Sequence, residues 1–367
     1  MACLSLDTLL CPASGLDLVL ISEDELLVQF GSRSRPSELF RDNDLTGVIG
    51  ILVRELRSRS VSLHMLLSLV HPDHQAEARN FVESLMAQGV ISDVACDPVR
   101  QYLRYTLTGD SELGNRRVTM IGAGPIAARV ARNLLLVGVG DLRLVDTRRV
   151  DEAWQAAVPL GTPHASDIGL PASLLLAQRL REVGHEGVQC MDWADGLAVG
   201  SAVDWAHLVI LALEGPNLQL AHAVNRACVR SQRPWLQVVV DGNLGLIGPQ
   251  FCSPDTACFN DYQTLLHAAA PGGAMAQRYR RHLLAHPKTS FHVGLPAFAD
   301  VVSGHASIAA GQFLMSGRSP LTGRVMTVDF DGMRIDVEDV LKLPRCPVCA
   351  TQRPCYRPPF PEGMEPA

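Results

Sequence analysis

Lysine is nearly missing from this sequence. Only Lys288 and Lys342 occur in 367 residues, so a mechanism that needs a lysine has two candidates. No apolar run approaches the ~18 residues of a membrane span, which excludes a transmembrane helix. The N-terminus, MACLSLDTLL, has no basic n-region, so no secretion signal is expected and the chain is read as cytoplasmic. There is no Gly-x-Ser-x-Gly elbow, no papain-like cysteine context, and no ligand-spaced pair among the 12 histidines. Basic charge is also short where nucleic acid would need it. Residues 1–110 carry nine Arg, no Lys and fifteen Asp plus Glu, so the whole net charge of −6 falls there and the rest is balanced. An acidic segment is a poor match for a phosphate backbone. What remains is a chain of two to three domains by length, 47% hydrophobic and 19% charged, able to bury real cores. It shows no internal repeats.

Residues 17–31 read as two strands joined by an acidic turn at Ser22–Asp24, and residues 36–41 as a third short strand. Leu45, Val48, Ile49, Leu52, Val53 and Leu56 then recur at helical spacing after Asp44, a candidate cap. Val61–Val70, introduced by Ser60, and Asp73–Gln88 predict two more helices. In the latter Ala76, Phe81, Leu85 and Met86 face inward, and Gly89 ends it. Three strands followed by three helices is the layout of a small winged-helix module over residues 1–95. Residues 96–115 read as an irregular linker. From residue 116 the style changes to strand, Gly-rich turn, helix and strand. Further strands at Val188–Met191, His207–Leu213 and Trp235–Val240 alternate with helices at 168–183 and 216–231. This predicts an α/β domain, doubly wound around a mostly parallel sheet. Residues 263–290 and 297–315 read as helices, and Val325–Asp336 as a hairpin turning at Asp331–Gly332. The tail from 356 to 367 is Pro-rich and expected to be unfolded.

Gly122-Ala-Gly124-Pro-Ile-Ala127 follows a strand and opens a helix, where glycines let the backbone approach a phosphate. Asp146 ends the next strand, where a carboxylate would meet a ribose hydroxyl. The competing reading is that the glycines only make the turn tight, since Pro125 removes a backbone donor and Ala127 replaces a third glycine. Ten cysteines in a chain read as cytoplasmic suggest thiols or metal ligands rather than disulfides. Five of them, Cys3, Cys11, Cys96, Cys190 and Cys228, read as small buried hydrophobes. Cys346-Pro-Val-Cys349 is a knuckle that can share one tetrahedral ion, and Cys258-Phe-Asn-Asp261 is a second candidate. The expected structural Zn²⁺ would be held by Cys258, Cys346, Cys349 and Cys355. Asp261 competes for the fourth place and Cys252 stands further off; a redox pair or free thiols is the other reading. The cluster Arg278, Arg280, Arg281 and His282 reads as a solvated helix face, with an anionic partner site as the alternative.

The segment VTMIGAGPIAARVARNLLLVGVGDLRLVD resembles the adenylating fold of ThiF, MoeB and the ubiquitin-activating enzymes, over roughly residues 115–355. Within that superfamily, GPQFCSPDTACFND (Gly248–Asp261) and LPRCPVC (Leu343–Cys349) resemble the ThiF-like partner proteins of azole-forming RiPP and thiopeptide biosynthesis. Those carry an N-terminal winged-helix clamp, the RiPP recognition element, that binds a leader peptide. The resemblance implies a ThiF/MoeB-type Rossmann-like domain over 116–355 behind a clamp at 1–95. It also implies a peptide groove between the third strand and third helix, with Leu39, Arg41, Phe81 and Leu85 as candidate contacts. Plain core is the other reading of Phe81 and Leu85.

The departures from the adenylating pattern shape the functional expectation. An Asn and an Arg after the ribose Asp align with Trp154 and Ala157. A Lys aligns with Ala172, in Gly169-Leu-Pro171-Ala172. The magnesium-binding Asp aligns with Glu214. Losing fixed cations beside a departing pyrophosphate typically costs ~10²–10³ in rate for each. Gly122, Gly124, Asp146 and Glu214 then form a nucleotide-site remnant, and the losses count against ATP binding. Two functions are weighed. The first is a catalytically silent scaffold that delivers a precursor-peptide leader to a separate YcaO-type cyclodehydratase, which makes azolines from Cys, Ser or Thr. The second is an ATP-dependent adenylating enzyme acting on a peptide or carrier C-terminus. No nucleic-acid or membrane partner is expected, and homodimers are common in this fold.

Overall fold

A computed structural model describes residues 5–33, 38–96, 98–106, 113–191, 198–270, 273–286 and 290–350. The chain divides into two units, residues 1–110 and 111–367.

In the first unit the elements are β1 (Leu9–Pro12), β2 (Leu16–Ser22), β3 (Glu25–Phe30), β4 (Glu38–Arg41), α1 (Val48–Ser58), β5 (Val61–Ser62), α2 (Leu63–Ser68), α3 (Gln75–Ala87), β6 (Ile91–Asp93) and α4 (Pro98–Thr106). They build two antiparallel three-stranded sheets, ordered β5-β1-β6 and β2-β3-β4. The expected hairpin and third strand form the second sheet. The first sheet was not expected, because its strands are two to four residues long and β1 ends in proline. Alternation on β3 sends Leu26 and Val28 inward, against Leu52, Val53 and Leu56 of α1 and Val82 and Leu85 of α3. The inward set predicted for α3 is partly wrong. Ala78, Val82 and Leu85 are buried, Phe81 and Met86 are half-buried, and Ala76 is exposed. Residues 98–106, read as linker, are the amphipathic helix α4; Tyr102 and Tyr105 pack on Phe30.

Asp44 does not cap α1. Gly47 does, in a left-handed conformation, and Leu45 before it is exposed with positive φ. The loop is shaped instead by Asp42. Its carboxylate accepts from the Asp44 N–H (3.0 Å), the Thr46 N–H (2.8 Å) and the Thr46 hydroxyl (2.6 Å).

The second unit holds β7 (Arg117–Ile121), α5 (Pro125–Leu136), β8 (Asp141–Val145), α6 (Glu152–Ala157), α7 (Ala172–Glu182), β9 (Val188–Met191), α8 (Ala198–Trp205), β10 (Leu208–Leu213), α9 (Leu218–Ser231), β11 (Trp235–Asp241), β12 (Leu244–Phe251), α10 (Phe259–Ala269), α11 (Gly273–Ala285), α12 (Pro296–Ser316), β13 (Arg324–Asp329) and β14 (Arg334–Asp339). Its eight-stranded sheet runs β14-β13-β12-β11-β10-β7-β8-β9. The five strands from β11 to β9 are parallel, and β12 to β14 continue antiparallel. The predicted doubly wound sheet is therefore present, with an antiparallel extension. Ile121, Val209, Leu211 and Leu213 pack with α8 and α9. Their neighbours Val118, Met120, Leu208 and Ile210 are equally buried, as a sheet covered on both faces requires. Strand order reverses at β7, between β8 and β10, so a crevice opens at their carboxyl ends.

Burial pushes the Asp42 carboxyl up, but hydrogen bonds from Thr46 and from the Asp44 and Leu45 backbone outweigh it and hold it below its ordinary value. A lowered native value means stability that is present above the unfolded value and lost as pH falls through the native one. Replacing Asp42 by Asn is expected to lower the stability of the first unit by about 1–2 kcal/mol at pH 7. The gap to wild type should narrow as urea unfolding is repeated down through the carboxylate range.

Candidate functional site

β7 delivers Gly122 and Gly124 to the crevice. Gly122 has φ +118°, and a Cβ there would collide with the Ala212 carbonyl of β10. The loop is pinned from two sides. The Ala123 N–H donates to Asp146 Oδ2 (2.7 Å), and the indole of Trp154 donates to the Ala123 carbonyl (2.7 Å). Trp154, which stands where the pattern has an Asn, is thus a buried brace for the loop. A pocket of about 400 Å³ opens beside it, lined among others by Gly122, Asp146, Arg148, Leu213 and Asn217. The four residues expected to form a nucleotide-site remnant, Gly122, Gly124, Asp146 and Glu214, come together here.

Sequence reasoning missed the residue that joins them. The Arg148 guanidinium donates to Asp146 (Nη2 to Oδ2, 2.7 Å) and to Glu214 (Nη1 to Oε2, 2.7 Å), and lies 4.1 Å over the Phe291 ring. Its side chain is 12% exposed. Burial alone would lower its proton affinity, but Glu214 and Asp146 reverse that and hold the guanidinium above its ordinary value. Burial pushes the wholly enclosed Glu214 carboxyl up, against the pull of Arg148. The other Glu214 oxygen, Oε1, accepts from the Ile126 N–H (3.3 Å) in the first turn of α5. A Cβ on Gly124 would run into this carboxylate. The only hint in sequence was a pair of arginines, Arg148 and Arg149, that follow the ribose-type Asp146 after one intervening threonine. Of the two lysines, Lys342 donates to the carbonyls of Pro254 and Asp255, away from this site. Lys288 lies outside the described residues. Ala172 is buried at the start of α7. The Ala157 carbonyl accepts from Arg129, which also pairs with Asp300.

The second cluster is the metal candidate. Cys258, Asp261, Cys346 and Cys349 are all buried, with one ligand atom from each lying within 4.8 Å of the others. The sulfurs of Cys258 and Cys346 are 3.6 Å apart, and Cys349 Sγ is 3.2 Å from Asp261 Oδ2. Tetrahedral zinc with Zn–S near ~2.3 Å sets ligand edges of ~3.5–3.8 Å, so the donor set fits. Hydrogen bonds from Cys258 and Cys349 pull Cys346 well down toward the thiolate. Burial pushes Asp261 up. Asp261, the competitor for the fourth place, stands beside the three cysteines; Cys355 lies outside the described residues. Cys252 is not in the cluster, and burial raises its thiol to about 11.

In the first unit, Leu39 on β4 is 43% exposed, Arg41 pairs with Glu25, and half-buried Phe81 meets Phe40 edge-on. Leu85 is 0% exposed and belongs to the core, so it cannot line a groove.

Elemental analysis of purified protein is expected to give one zinc per chain. Cys346→Ser should abolish it and lower the melting temperature, and Asp261→Asn should weaken retention against a chelator at least tenfold.

The ThiF family profile matches residues 99–348. No curated protein sequence matches the chain. Among solved structures, E. coli MccB with AMPCPP and MccA aligns with 93% of this chain and 99% of its own, at TM-score 0.63 and 15% identity. E. coli MccB with ATP aligns over the same shares at TM-score 0.62 and 14% identity. The heterocyclase TruD aligns with 93% of this chain and 43% of its own, at TM-score 0.56 and 16% identity. At these identities the likeness establishes the fold. It also corrects one expectation. MccB, described as the microcin C7 biosynthetic enzyme and solved with ATP, shares this architecture end to end, which overturns the reading as a catalytically silent subunit. The presence of ATP in that MccB structure also argues against the expectation that ATP binding is lost. The expectation counted the missing Lys and Arg positions and did not count Arg148, which stands in the same crevice paired with Asp146 and Glu214. A match across more than half of the 367 residues makes this chain a member of the ThiF family.

Proposed function

We propose that this chain is an ATP-dependent enzyme that activates a ribosomally made peptide by adenylation. The observation that carries the reading is the crevice at the β7–β10 reversal. A glycine loop, a ribose-type carboxylate at Asp146, a buried cation at Arg148 and a pocket of about 400 Å³ converge there. The likeness to MccB, solved with ATP and with MccA, supports it. Bound ATP would supply an electrophilic phosphorus and a pyrophosphate leaving group. The chain's own part is to hold and orient. Asp146 is placed to accept from ribose hydroxyls, and Trp154 keeps the loop from moving. Glu214 would have to leave Arg148 and the Ile126 N–H to meet a divalent cation. Zinc at Cys258, Cys346, Cys349 and Asp261 is read as structural, since the four ligands are buried and leave no open position for a substrate.

The first unit is read as the winged-helix clamp for the peptide leader. Among described residues β4 pairs with β3 alone, so its outer edge can take an added strand, with backbone hydrogen bonds giving affinity and side chains giving selectivity. Leu39, Arg41 and Phe81 remain the candidate contacts. The likeness to TruD supports a second reading, in which the same chain also presents its peptide to a separate YcaO-type cyclodehydratase.

Two measurements test these readings. ATP–pyrophosphate exchange is expected to depend on the precursor peptide encoded nearby; its absence with every candidate peptide overturns the enzymatic reading. Fluorescence polarisation with the labelled leader is expected to show sub-micromolar binding that Leu39→Asp weakens at least tenfold. Unchanged binding removes the β4 edge from the proposal.

A further inference from the structure

The crevice holds an arrangement that a nucleotide cannot simply enter. α5 is a 12-residue helix whose first turn follows the glycine loop, the position where such folds bind phosphate. That position is taken by a carboxylate of the protein itself. Glu214 Oε1 accepts from the Ile126 N–H and lies against Gly124, where any side chain would displace it. Gly124 is thus required here by Glu214 as much as by any phosphate.

The carboxylate is held there by Arg148 and not by the helix alone. Nη1 of Arg148 bonds Glu214 Oε2 at 2.7 Å, while Nε and Nη2 clamp Asp146 (3.1, 3.1 and 2.7 Å). The remaining contacts of the guanidinium are the Ser290 carbonyl, at 3.4 Å from Nη1, and the face of Phe291. Two carboxylates on one guanidinium leave one net negative charge in an enclosed site. An arriving triphosphate would meet repulsion from Glu214 and attraction from Arg148 in the same place.

We infer that Glu214 is a placeholder for phosphate at the N-terminus of α5, and that Arg148 is the cation that exchanges the Glu214 carboxylate for the nucleotide's phosphate. The inference rests on the reading of the crevice as an ATP site. It assigns Arg148 a binding role that compensates for Ala157 and Ala172. In the exchange no covalent bond changes. The Ile126 N–H and the Arg148 Nη1 pass from a carboxylate oxygen to phosphate oxygens, and Glu214 is released toward solvent or a divalent cation. Asp146 keeps its hold on Nε and Nη2 throughout, so the guanidinium turns one edge to the ligand and stays in register.

The test is calorimetric titration of the full chain with ATP and with adenosine, in buffer prepared without added magnesium or chelator, so that metal binding by Glu214 plays no part and the cysteine cluster is left intact. Glu214→Gln is expected to bind ATP about tenfold tighter than wild type, because the competing charge is gone. The double variant Arg148→Gln/Glu214→Gln, in which Asp146 keeps the Ala123 N–H but loses its cation, should bind ATP at least tenfold more weakly than Glu214→Gln. Adenosine, which has no phosphate, should bind both variants within threefold of wild type. Equal or weaker ATP binding by Glu214→Gln overturns the placeholder. Equal ATP binding by the double variant and Glu214→Gln overturns the role of Arg148. Arg148→Lys gives a second reading should the double variant fail to fold: it keeps the charge without the fork, and unchanged ATP affinity would again remove Arg148. If wild type binds neither ATP nor adenosine, the enzymatic reading fails by itself. A gain of ATP binding in Glu214→Gln then still supports the placeholder, and no gain overturns it.

Discussion

Two buried carboxylates share one guanidinium at the carboxyl ends of β8 and β10, and much of the second unit is arranged around that fact. Asp146 can be enclosed only because Arg148 and the Ala123 N–H satisfy it, and Glu214 only because Arg148 and the Ile126 N–H do. An unpaired ion in either place would cost several kcal/mol or take up a proton. The triad therefore fixes the glycine loop relative to the strand ends. Phe291 closes it from above, and Trp154 braces the loop from the side. The crevice, the pocket and the first turn of α5 keep their shape through these few contacts.

A similar economy holds the far end of the unit together. Trp235 stacks on Phe251 at 4.5 Å, and both meet Phe259, the first residue of α10. Phe259 follows Cys258, and Asp261 comes one turn on from that cysteine, so the aromatic cluster sets where half of the candidate metal ligands stand. The Asn225 side chain of α9 accepts from the Phe259 N–H and fixes the same turn. Packing and ligation are thus one construction: the sheet positions the aromatics, and the aromatics position the knuckle.

What could be read in the sequence followed from periodicity and from local chemistry. The parallel strands are continuous apolar runs, so β7, β8, β10 and β11 were legible, as was the glycine turn between β7 and α5. β12 was not, because Gly245, Gly248 and Pro249 interrupt LGLIGPQF and make it read as loop. α8 escaped because Gly200 and Ser201 dilute its apolar pattern, and α4 because its nine residues are largely polar. In the candidate metal cluster, spacing picked out the three cysteines that the structure brings together and left the fourth place open between an acid, the fourth residue of one knuckle, and a cysteine beyond the other. Arg148 was illegible for a deeper reason. Its partner Glu214 lies 66 residues away, and only the adjacency of β7 with both β8 and β10 brings them together. An alignment of expected catalytic positions records which cations are missing. It has no means of registering a cation brought to the crevice by other strands.

The knuckles carry a consequence beyond ligation. Cys258 and Cys346 are 88 residues apart in sequence and 3.6 Å apart at their sulfurs. A link across that junction closes a loop containing α10, α11, α12, β13 and β14, and by the chain-entropy relation for a cross-link it would remove on the order of 4–5 kcal/mol of freedom from the unfolded chain. Phe291, which covers Arg148, and Asp300, which pairs with Arg129, both lie inside that loop. A link there would work as a drawstring, tethering at one end of the unit the same stretch of chain that supplies Phe291 and Asp300 at the other.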